Sequence, residues 1–500
     1  MATNTFFLFT FAKHFYLTCL THFNRPKMKF KLSVLLFLLL TVSLFAGTPL
    51  DNFINNPLLK NANVSLLVKE LGANRVVCQF RSNNVTIPAS CMKLVTTATA
   101  LELLGPTFCF QTKLEIDGTL GPNGVLNGNL YIRGGGDPTL GSEKMGDPDF
   151  LTKWVAAVKE AGIKKINGQI VADGTLFDEE GVNPKWTWED IGNYYAAGAY
   201  GISYMDNTFK LFVRSGAVGT TPEILRVIPE ISSLEFENHL TSTNIDSDSA
   251  YFYGAPKSRH RVIRGEIPAN RMEFYIKGDI PNPSLLLAEH FQKKLMESGI
   301  FSSELPSDIV KRTTQRKVIH VHNSPPLSEI IAETNVHSNN GYAEEIFRYL
   351  ALKNSTMATS NGAIREIRSF WKAKELPVSQ LYMYDGCGLS PLDAVSANFF
   401  VELLTYMKTG SPNKEAFFNS LPVSGKSGTL ANFLAKTSLQ GKVHAKSGTI
   451  GGVKCYAGYI EKNNKTYVFC ILVNHFNGTS KAVTQKMEEF LLRVTAVRKR

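Results

Sequence analysis

The sequence is poor in cysteine and has none of the spacings that cysteine-based sites require. Seven of the 500 residues are Cys, and no two of them stand in the C-x-x-C spacing of a structural zinc site. The six that follow residue 47 are too few and too scattered for a disulfide framework. These features exclude a zinc module and a disulfide-stapled fold, so we expect most of the cysteines to be buried thiols.

A hydrophobic run long enough to cross a membrane is also missing. The apolar run Leu32–Phe45 falls short of the roughly 18 residues that a span needs. It follows Met28 and two lysines and ends in small residues, which is the pattern of a secretory signal peptide. No cysteine follows the run, which argues against a lipid anchor. We predict that residues 1–47 are leader and signal peptide, and that the mature chain is exported, periplasmic or envelope-associated, without a transmembrane anchor.

Concentrated positive charge and a phosphate-binding loop are missing too. The net charge of +11 is scattered along the chain, which indicates a solvated surface or, as an alternative, affinity for an anionic polymer such as cell wall. The string SGKSGT resembles the end of a P-loop, but position 420, where the first glycine should stand, is Ser. We therefore predict no nucleotide cofactor and no nucleic-acid partner.

The pattern of apolar and turn residues changes twice along the chain, and these changes predict its domain organisation. Residues 89–105 have the apolar face of a helix, which Gly105 and Pro106 end. Residues 113–317 contain many short alternating runs with turn residues between them, which favours β structure. From residue 324 the pattern is helical again, and the last hundred residues predict a strand meander and a closing helix. We predict an α+β domain, residues 48–112 and 318–500, split by a β-rich insert, residues 113–317.

Two strands of that meander carry a cysteine each. The runs GVKCYAGYI and TYVFCILVN predict a hairpin around EKNN. With the turn centred between residues 462 and 463, Cys455 and Cys470 would face each other. We expect them to be cross-strand neighbours, and a disulfide between them is one possible outcome in an oxidising envelope.

Ser90 and Lys93 form the first candidate for chemistry. They lie three residues apart at the start of the predicted helix, so both project from one face. A lysine amine that burial keeps neutral can take the proton of a serine hydroxyl, and a helix N-terminus offers N–H groups to an oxyanion. Taken alone, the pair also fits a capping serine beside a surface lysine.

Two further motifs follow in a fixed order. Ser338-Asn339-Asn340 lies in a polar break between two predicted helices, where a hydroxyl can relay a proton and an amide can bind a substrate backbone. Lys446-Ser447-Gly448 lies on a predicted strand near the C-terminus, where a strand edge can pair with a peptide. The ordered set S-x-x-K, S-x-N and K-[ST]-G is typical of penicillin-binding proteins and serine β-lactamases.

The resemblance extends well beyond these motifs. The segments PASCMKLVTTATALELLG, LYIRGGGDPTL, HSNNGYAEEIFRYL, YDGCGLS and GKVHAKSGTIGGVKCYAGYI resemble class C low-molecular-mass penicillin-binding proteins, the D-alanyl-D-alanine carboxypeptidase/endopeptidases. The resemblance runs over nearly all of residues 50–490. It implies a split serine β-lactamase/transpeptidase-like fold with two β-rich subdomains in the insert. It also implies that Gly425–Leu430, with the first of two KSGT tetrapeptides, is a loop that precedes the catalytic strand.

The resemblance assigns roles to the catalytic motifs. Ser90 is the expected acylated nucleophile, Lys93 its base, and Ser338 the proton relay to the leaving group. The remaining expected roles concern substrate binding: an amide ligand in Asn340, a carboxylate site in Lys446 and Ser447, and an oxyanion hole in the N–H groups of Ser90 and Thr449, which follows Gly448 directly.

The resemblance also touches the insert and reveals two departures. Asp190 and its neighbour Tyr195 match positions that reach the free amine of a diaminopimelate side chain, although a lone acid is also common on a surface. Cys387 stands where the family has serine, and Pro391 stands where an arginine often helps to bind the substrate carboxylate. These departures put the substrate preference, but not the nucleophile, in question.

We predict from this an exported serine DD-peptidase that cleaves D-alanyl peptide bonds of peptidoglycan through an acyl-enzyme. It would act as a carboxypeptidase, a cross-link endopeptidase or both, without metal or cofactor, and β-lactams would inhibit it covalently. Two alternatives are a catalytically silent peptidoglycan-binding protein and a β-lactamase.

Overall fold

The computed structural model describes residues 47–231, 233–310 and 315–496. The predicted signal peptide therefore lies outside the described residues, apart from Gly47. The chain divides into two compact units between Asn56 and Pro57. Before the division, helix α1 (Pro49–Ile54) begins at Thr48, whose hydroxyl accepts a hydrogen bond from the Asp51 N–H, an N-terminal cap. All that follows concerns the second unit.

The further α-helices of the described residues are these: α2 Met92–Leu104, α3 Phe150–Glu160, α4 Pro283–Glu297, α5 Leu327–His337, α6 Asn340–Tyr349, α7 Ser360–Ala373, α8 Ala397–Thr409, α9 Lys414–Asn419 and α10 Ser480–Val494. Short 3₁₀ turns connect several of them. Two of these turns, Ala89–Cys91 and Tyr194–Ala196, carry residues of the candidate site.

The strands of the described residues are these: β1 Asn63–Glu70, β2 Arg75–Phe80, β3 Val85–Thr86, β4 Gln111–Ile116, β5 Thr119–Leu120, β6 Val125–Asn127, β7 Leu130–Arg133, β8 Lys165–Ile166, β9 Ile170–Asp173, β10 Thr208–Arg214, β11 Glu223–Ile228, β12 Glu235–Thr243, β13 Tyr251–Tyr253, β14 His260–Pro268, β15 Phe274–Asp279, β16 Phe301–Ser302, β17 Lys317–Asn323, β18 Leu381–Tyr382, β19 Ala394–Ser396, β20 Val443–Ile450, β21 Val453–Lys462 and β22 Lys465–Asn474.

A five-stranded antiparallel sheet joins the two ends of this unit. Its order is β2-β1-β22-β21-β20, so a strand from the N-terminal part pairs with the C-terminal meander. Helices α2 and α8 contribute to the same hydrophobic core as the sheet. Helix α2 is buried from Met92 to Leu101, as expected of a helix at the centre of a domain. The sheet leaves β20 at one edge, beside the 3₁₀ turn that contains Ser90.

A second core lies in the middle of the chain. Between β4 and β17, which pair with each other, the chain forms small sheets in the orders β11-β10-β15, β12-β14-β13, β16-β8-β6-β5 and β17-β4-β7-β9. Helices α3 and α4 contribute Trp154 and Phe291 to the core that these sheets share. The mixed helix and strand content, with several sheets, confirms the predicted α+β class. The residue limits of the insert stay a prediction.

The predicted pairing of Cys455 with Cys470 is wrong. Both are buried free thiols, and Cys455 lies opposite Leu472 while Cys470 lies opposite Ala457. The turn residues are Asn463 and Asn464, which both have positive φ. A two-residue turn of this kind suits the twist of a hairpin and fixes its register. It centres the hairpin one position later than expected, which shifts the cross-strand partner of each cysteine by two residues.

Among the helices in the described part of the chain, none combines the length and the hydrophobicity needed to cross a bilayer.

Candidate active site

Ser90 lies in a tight turn, not in the body of the helix. The 3₁₀ turn Ala89–Cys91 leads directly into α2, so the predicted helix begins three residues later than its sequence pattern suggested. Ala89 is fully buried and has a φ of +45°, which non-glycine residues rarely adopt. Strained backbone of this kind persists only where the surroundings enforce it. The turn holds Ser90 half-buried, with its hydroxyl toward Lys93.

Lys93 is fully buried and makes three hydrogen bonds. Its Nζ lies 3.0 Å from Ser90 Oγ, 2.7 Å from Asn340 Oδ1 and 2.7 Å from the carbonyl oxygen of Cys387. Burial lowers the pKa of Lys93, although the nearby Cys387, Asp385 and Glu344 act in the opposite direction. A lowered pKa increases the fraction of Lys93 that is a neutral amine, which is the form that can act as a base.

The two oxygen acceptors fix the direction of the Lys93 lone pair. A neutral amine has two N–H bonds and one lone pair. Asn340 Oδ1 and the Cys387 carbonyl can only accept, so they take the two N–H bonds. The lone pair then points at Ser90 Oγ, whose hydroxyl can donate to it. This arrangement is what proton abstraction from Ser90 requires.

Ser338 and Asn340 lie where two helices meet. Ser338 ends α5 in the left-handed conformation (φ 59°), and the Asn339 side chain caps α6 by accepting from the Tyr342 N–H. The predicted polar break is therefore a sharp turn between helices. Asn340 donates its Nδ2 to the Tyr195 carbonyl oxygen at 2.8 Å, while its Oδ1 accepts from Lys93.

Strand β20 carries the second lysine. Lys446 is fully buried, and its Nζ donates to Ser338 Oγ at 2.9 Å and to the Ser447 carbonyl oxygen at 2.7 Å. Burial, together with the charge of Lys93, lowers its pKa to about 7. Ser90 with Lys93, and Ser338 with Lys446, thus form two hydroxyl–amine pairs, and Asn340 lies beside the first.

Gly448 allows β20 to touch the Ser90 turn. A Cβ at this position would lie 2.5 Å from the Pro88 carbonyl oxygen and 3.2 Å from the Cys91 nitrogen. The Cys91 thiol also donates to the Lys446 carbonyl oxygen at 3.4 Å. Strand and turn are therefore in direct backbone contact, which brings Thr449 close to the Ser90 turn.

A buried loop around Asp385 presents a hydrogen-bond acceptor to Lys93, and Glu344 holds this loop in place. Glu344 Oε1 accepts from the N–H groups of Gly386 and Cys387, both at 2.7 Å. The Asp385 carboxylate accepts from the N–H groups of residues 388, 389 and 390 and from Trp186 Nε1. Burial, with Asp385 nearby, raises the pKa of Glu344 to about 8. These bonds hold the loop that presents the Cys387 carbonyl to Lys93.

The sequence indicated only part of this loop. Cys387 was identified as a departure from the family pattern, but its carbonyl acceptor and Glu344 were not. The one available signal was the acidic pair Glu344-Glu345 within a run of apolar residues on α6. Such a pair on a buried helix face indicates specific partners, since carboxyl groups are seldom buried without them.

The same carboxyl groups are the place where a metal could be considered. Ligand atoms of Glu344, Asp385 and Cys387 lie within 4.8 Å of one another. The oxygens of Glu344 and Asp385 already accept from backbone N–H groups, which a metal ion would have to displace. Their arrangement therefore suits loop support better than metal binding, and the expectation of a metal-free site stays a prediction.

Asp190 lies near Tyr195 and is linked to the site only indirectly, through that residue. Its carboxylate accepts from the Thr187 hydroxyl at 2.6 Å, at the surface. Burial and, next, the charge of Asp190 raise the pKa of the Tyr195 phenol. The Tyr195 carbonyl oxygen is in turn the acceptor for Asn340. A cavity of about 320 Å³ adjoins this region and is lined by Tyr195, Ser338 and Asn340, among others.

The two KSGT tetrapeptides have different surroundings. Lys446–Thr449 belongs to β20, whereas Lys426 is exposed in a loop that leads into the 3₁₀ turn Gly428–Leu430. The Ser427 hydroxyl accepts from the Val423 N–H, which is a local loop contact. Lys446 therefore contacts the serine-lysine cluster, and the first copy stabilises a loop.

Comparison with known proteins gives one consistent family. A sequence model of the D-Ala-D-Ala carboxypeptidase 3 (S13) family matches residues 47–494. The chain is 27% identical over 455 residues to a D-alanyl-D-alanine carboxypeptidase of Actinomadura sp. (strain R39), covering 87% of this chain and 82% of that protein. It is 24% identical over 410 residues to the D-alanyl-D-alanine carboxypeptidase DacB of Haemophilus influenzae, with 80% and 83% covered.

Solved structures show the same fold. The crystal structure of penicillin binding protein 4 (dacB) from Haemophilus influenzae superimposes with a TM-score of 0.75 and 21% sequence identity, covering 86% of this chain and 96% of that one. The same protein in complex with a novel β-lactam gives a TM-score of 0.72 at 20% identity, with 89% and 98% covered.

Proposed function

The chain belongs to the D-Ala-D-Ala carboxypeptidase 3 (S13) family, and from the geometry of its site we propose that Ser90 attacks the carbonyl carbon of a D-alanyl peptide bond while Lys93 takes its proton. The chain is a serine-type D-Ala-D-Ala carboxypeptidase. The observation that carries the residue assignment is the contact of 3.0 Å between Lys93 Nζ and Ser90 Oγ, with the lone pair of the amine directed at the hydroxyl.

Acylation forms an ester bond between Ser90 Oγ and the D-alanyl carbonyl carbon. The C–N bond to the leaving residue breaks, and its nitrogen needs a proton. Ser338, which accepts from Lys446 Nζ at 2.9 Å, is the proposed donor and is recharged from that lysine. Before deacylation, Lys93 passes the proton that it took from Ser90 to Lys446 through solvent, so that Lys93 is neutral and Lys446 is charged again. Water then attacks the ester, Lys93 takes a proton from that water, and this proton passes to Ser90 Oγ as the ester C–O bond breaks. Every atom and proton is supplied by the substrate, by water or by these four side chains.

The oxyanion of the tetrahedral intermediate is assigned to the N–H groups of Ser90 and Thr449. Their closeness is supported by the contact between β20 and the Ser90 turn at Gly448. Preorganised N–H donors of this kind commonly contribute a large share of the rate acceleration in acyl transfer.

The proposed substrate is the peptide stem of peptidoglycan. Asn340 would bind a backbone amide, and Lys446 with Ser447 would bind the carboxylate of the leaving residue. Tyr195 and Asp190 would receive the side chain of the diamino acid, because the Tyr195 carbonyl oxygen accepts from Asn340 and Asp190 lies near Tyr195. β-Lactams, which mimic the D-alanyl bond, would acylate the same serine.

The cellular setting follows the same proposal. We place the protein outside the cytoplasmic membrane, in the periplasm or associated with the envelope, because peptidoglycan is there and the N-terminus has the pattern of a signal peptide. The proposed domain limits, residues 48–112 and 318–500 around an insert of residues 113–317, are supported by the separate hydrophobic core between β4 and β17.

One experiment tests the assignment. The purified protein is incubated with a fluorescent penicillin, and the covalent adduct is followed after denaturation. We expect a long-lived adduct in the wild type and none in Ser90→Ala, with unchanged melting temperature in that variant. A folded wild type that forms no adduct would favour a silent wall-binding protein, and rapid turnover of the penicillin would favour a β-lactamase.

A second assay separates the two peptidase activities. Muropeptides with a free D-alanyl-D-alanine terminus and muropeptides with a cross-link are supplied separately, and D-alanine release and loss of cross-links are quantified. Either activity that depends on Ser90 is consistent with the proposal. An activity that persists in Ser90→Ala would overturn the assignment of the nucleophile.

A further inference from the structure

Lys454 is a cation on the active-site strand pair to which neither the sequence motifs nor the resemblance gave a role. It lies on β21 directly opposite Thr449 of β20, and its Nζ donates to Thr449 Oγ1 at 2.8 Å. Residues paired across two strands project from the same face, as do residues two apart on one strand. Lys454, Thr449 and Ser447 therefore share one face of the sheet edge. Lys446 projects from the other face, but its Nζ donates to the Ser447 carbonyl oxygen and so lies at the same edge.

The positive charge at this edge is not balanced. Within the part of the chain that the structure describes, neither Lys446 nor Lys454 forms an ion pair with an Asp or Glu side chain. Lys446 is fully buried and Lys454 is half-buried, with its ammonium 5.2 Å from the centre of the Tyr456 ring. Buried cations without a counter-charge are costly, so an anionic ligand at this edge would find two uncompensated ammonium groups.

Lys446 is a weak cation by itself. Burial and the nearby Lys93 lower its pKa to about 7, so near neutral pH the free enzyme has it protonated only in part. Its Nζ also donates one hydrogen bond to Ser338 Oγ and another to the Ser447 carbonyl oxygen. The arginine that the family resemblance implies as a further carboxylate ligand is replaced by Pro391 in this chain.

We propose that Lys454 binds the carboxylate of the leaving residue, together with Lys446 and Ser447. This inference rests on the proposed function, because it requires a substrate cleaved at Ser90. In it, the Thr449 hydroxyl is both the resting partner of Lys454 and a second hydrogen-bond donor to the carboxylate. Lys454 adds a second ammonium group beside the one that Lys446 gives only in part, and it takes the place of the missing arginine.

The test compares two N-acyl-D-alanyl thioesters that differ in the leaving thiol. One thiol carries a carboxylate and the other carries a carboxamide at the same position. Thioesters are reactive enough for hydrolysis of both to be measured. The variants are Lys454→Gln, Lys454→Arg and, as a matched control, Lys462→Gln, which changes another half-buried lysine at the far end of β21.

We expect Lys454→Gln to lower kcat/KM about tenfold on the carboxylate thioester, mainly through KM, and less than twofold on the carboxamide. Lys454→Arg should restore most of the loss, and Lys462→Gln should change neither substrate. An equal loss on both thioesters would show that Lys454 only positions Thr449, and no loss on either would show that it has no role. Both outcomes overturn the inference while leaving cleavage at Ser90 intact, whereas a wild type inactive on both thioesters would contradict the proposed function instead.

Discussion

Lys446 Nζ lies 2.9 Å from Ser338 Oγ, across 108 residues of sequence. The contact joins the strand motif to the turn between α5 and α6, and it forms the second hydroxyl–amine pair of the site, after Ser90 with Lys93. Two lysines stand in identical KSGT tetrapeptides, yet only one of them has this contact. The difference offers a matched pair of substitutions.

Lys446→Gln should weaken the enzyme and Lys426→Gln should not. Loss of a charged hydrogen bond to the substrate carboxylate costs roughly 1.5–3 kcal/mol, or roughly 10–100-fold in kcat/KM. Lys426 is exposed in a loop, so its substitution should leave kcat/KM within about twofold of wild type. The measurement is D-alanine release from an acetylated tripeptide ending in D-Ala-D-Ala. Equal losses in the two variants would contradict the assignment of the second KSGT to the site.

The pH profile of kcat/KM should have an acidic limb due to Lys93 and an alkaline limb due to Lys446. Lys93 acts as a base only when neutral, so kcat/KM should fall as the pH is lowered through its pKa, which burial places below the ordinary 10.5. Lys446 binds a carboxylate only when charged, so kcat/KM should also fall as the pH rises above about 7. The second limb should be absent for a thioester without a carboxylate. It should move to higher pH in Lys446→Arg, and a limb unchanged by that substitution would argue against Lys446 as its origin.

Gly448→Ala should separate β20 from the Ser90 turn. The new methyl group would meet the Pro88 carbonyl oxygen at 2.5 Å, so the strand must move. Overpacking of this kind costs roughly 1–3 kcal/mol of stability, and displacement of Thr449 should slow acylation by penicillin well beyond tenfold. Gly451→Ala is the control, since an added Cβ there meets no atom within 4 Å. Acylation at the wild-type rate in Gly448→Ala would show that the proposed oxyanion hole does not depend on this contact between β20 and the Ser90 turn.

Local spacing was enough to predict the contacts that are close in sequence. The i, i+3 relation brought Ser90 and Lys93 together, and the polar break between α5 and α6 was visible as a run without apolar periodicity. The C-terminal meander and α10 were predicted from alternation and from the final helical pattern. In each case neighbouring residues determine the geometry.

Contacts between residues that are far apart in the sequence could not be predicted from local spacing. Glu344 holds a loop more than forty residues away, and the acceptor that it positions is a backbone carbonyl, which leaves no trace in residue identity. The predicted cross-strand pairing of Cys455 and Cys470 was wrong for a more local reason. The turn type, set by positive φ at Asn463 and Asn464, decides the register, and EKNN permits two positions for the turn.

Glu344→Gln should change how stability depends on pH. The folded state raises the pKa of this carboxyl from the ordinary 4.5 to about 8, so the folded protein keeps the proton that the unfolded chain loses. The contribution is therefore present below about pH 4.5 and is lost as the pH rises to about 8. Glutamine does not titrate, so the decline in melting temperature between pH 5 and 8 should be smaller in the variant. The exposed Glu415→Gln is the control, and an identical decline in all three proteins would show that Glu344 is not a buried acid.

Asp190→Asn should impair only substrates with a free diaminopimelate amine. Asp190 lies at the surface near Tyr195, whose carbonyl oxygen accepts from Asn340, and in the proposed role its carboxylate receives the diamino acid side chain of a substrate bound at Asn340. A charged hydrogen bond to the substrate ammonium contributes roughly 1.5–3 kcal/mol, so kcat/KM should fall about ten- to a hundredfold on such peptides. The same peptides with that amine acetylated should react at the wild-type rate. Glu189→Gln, which changes the exposed acid next to it, should leave both substrates unaffected. An equal loss on free and acetylated peptides would leave Asp190 as a surface acid with a structural role through Thr187.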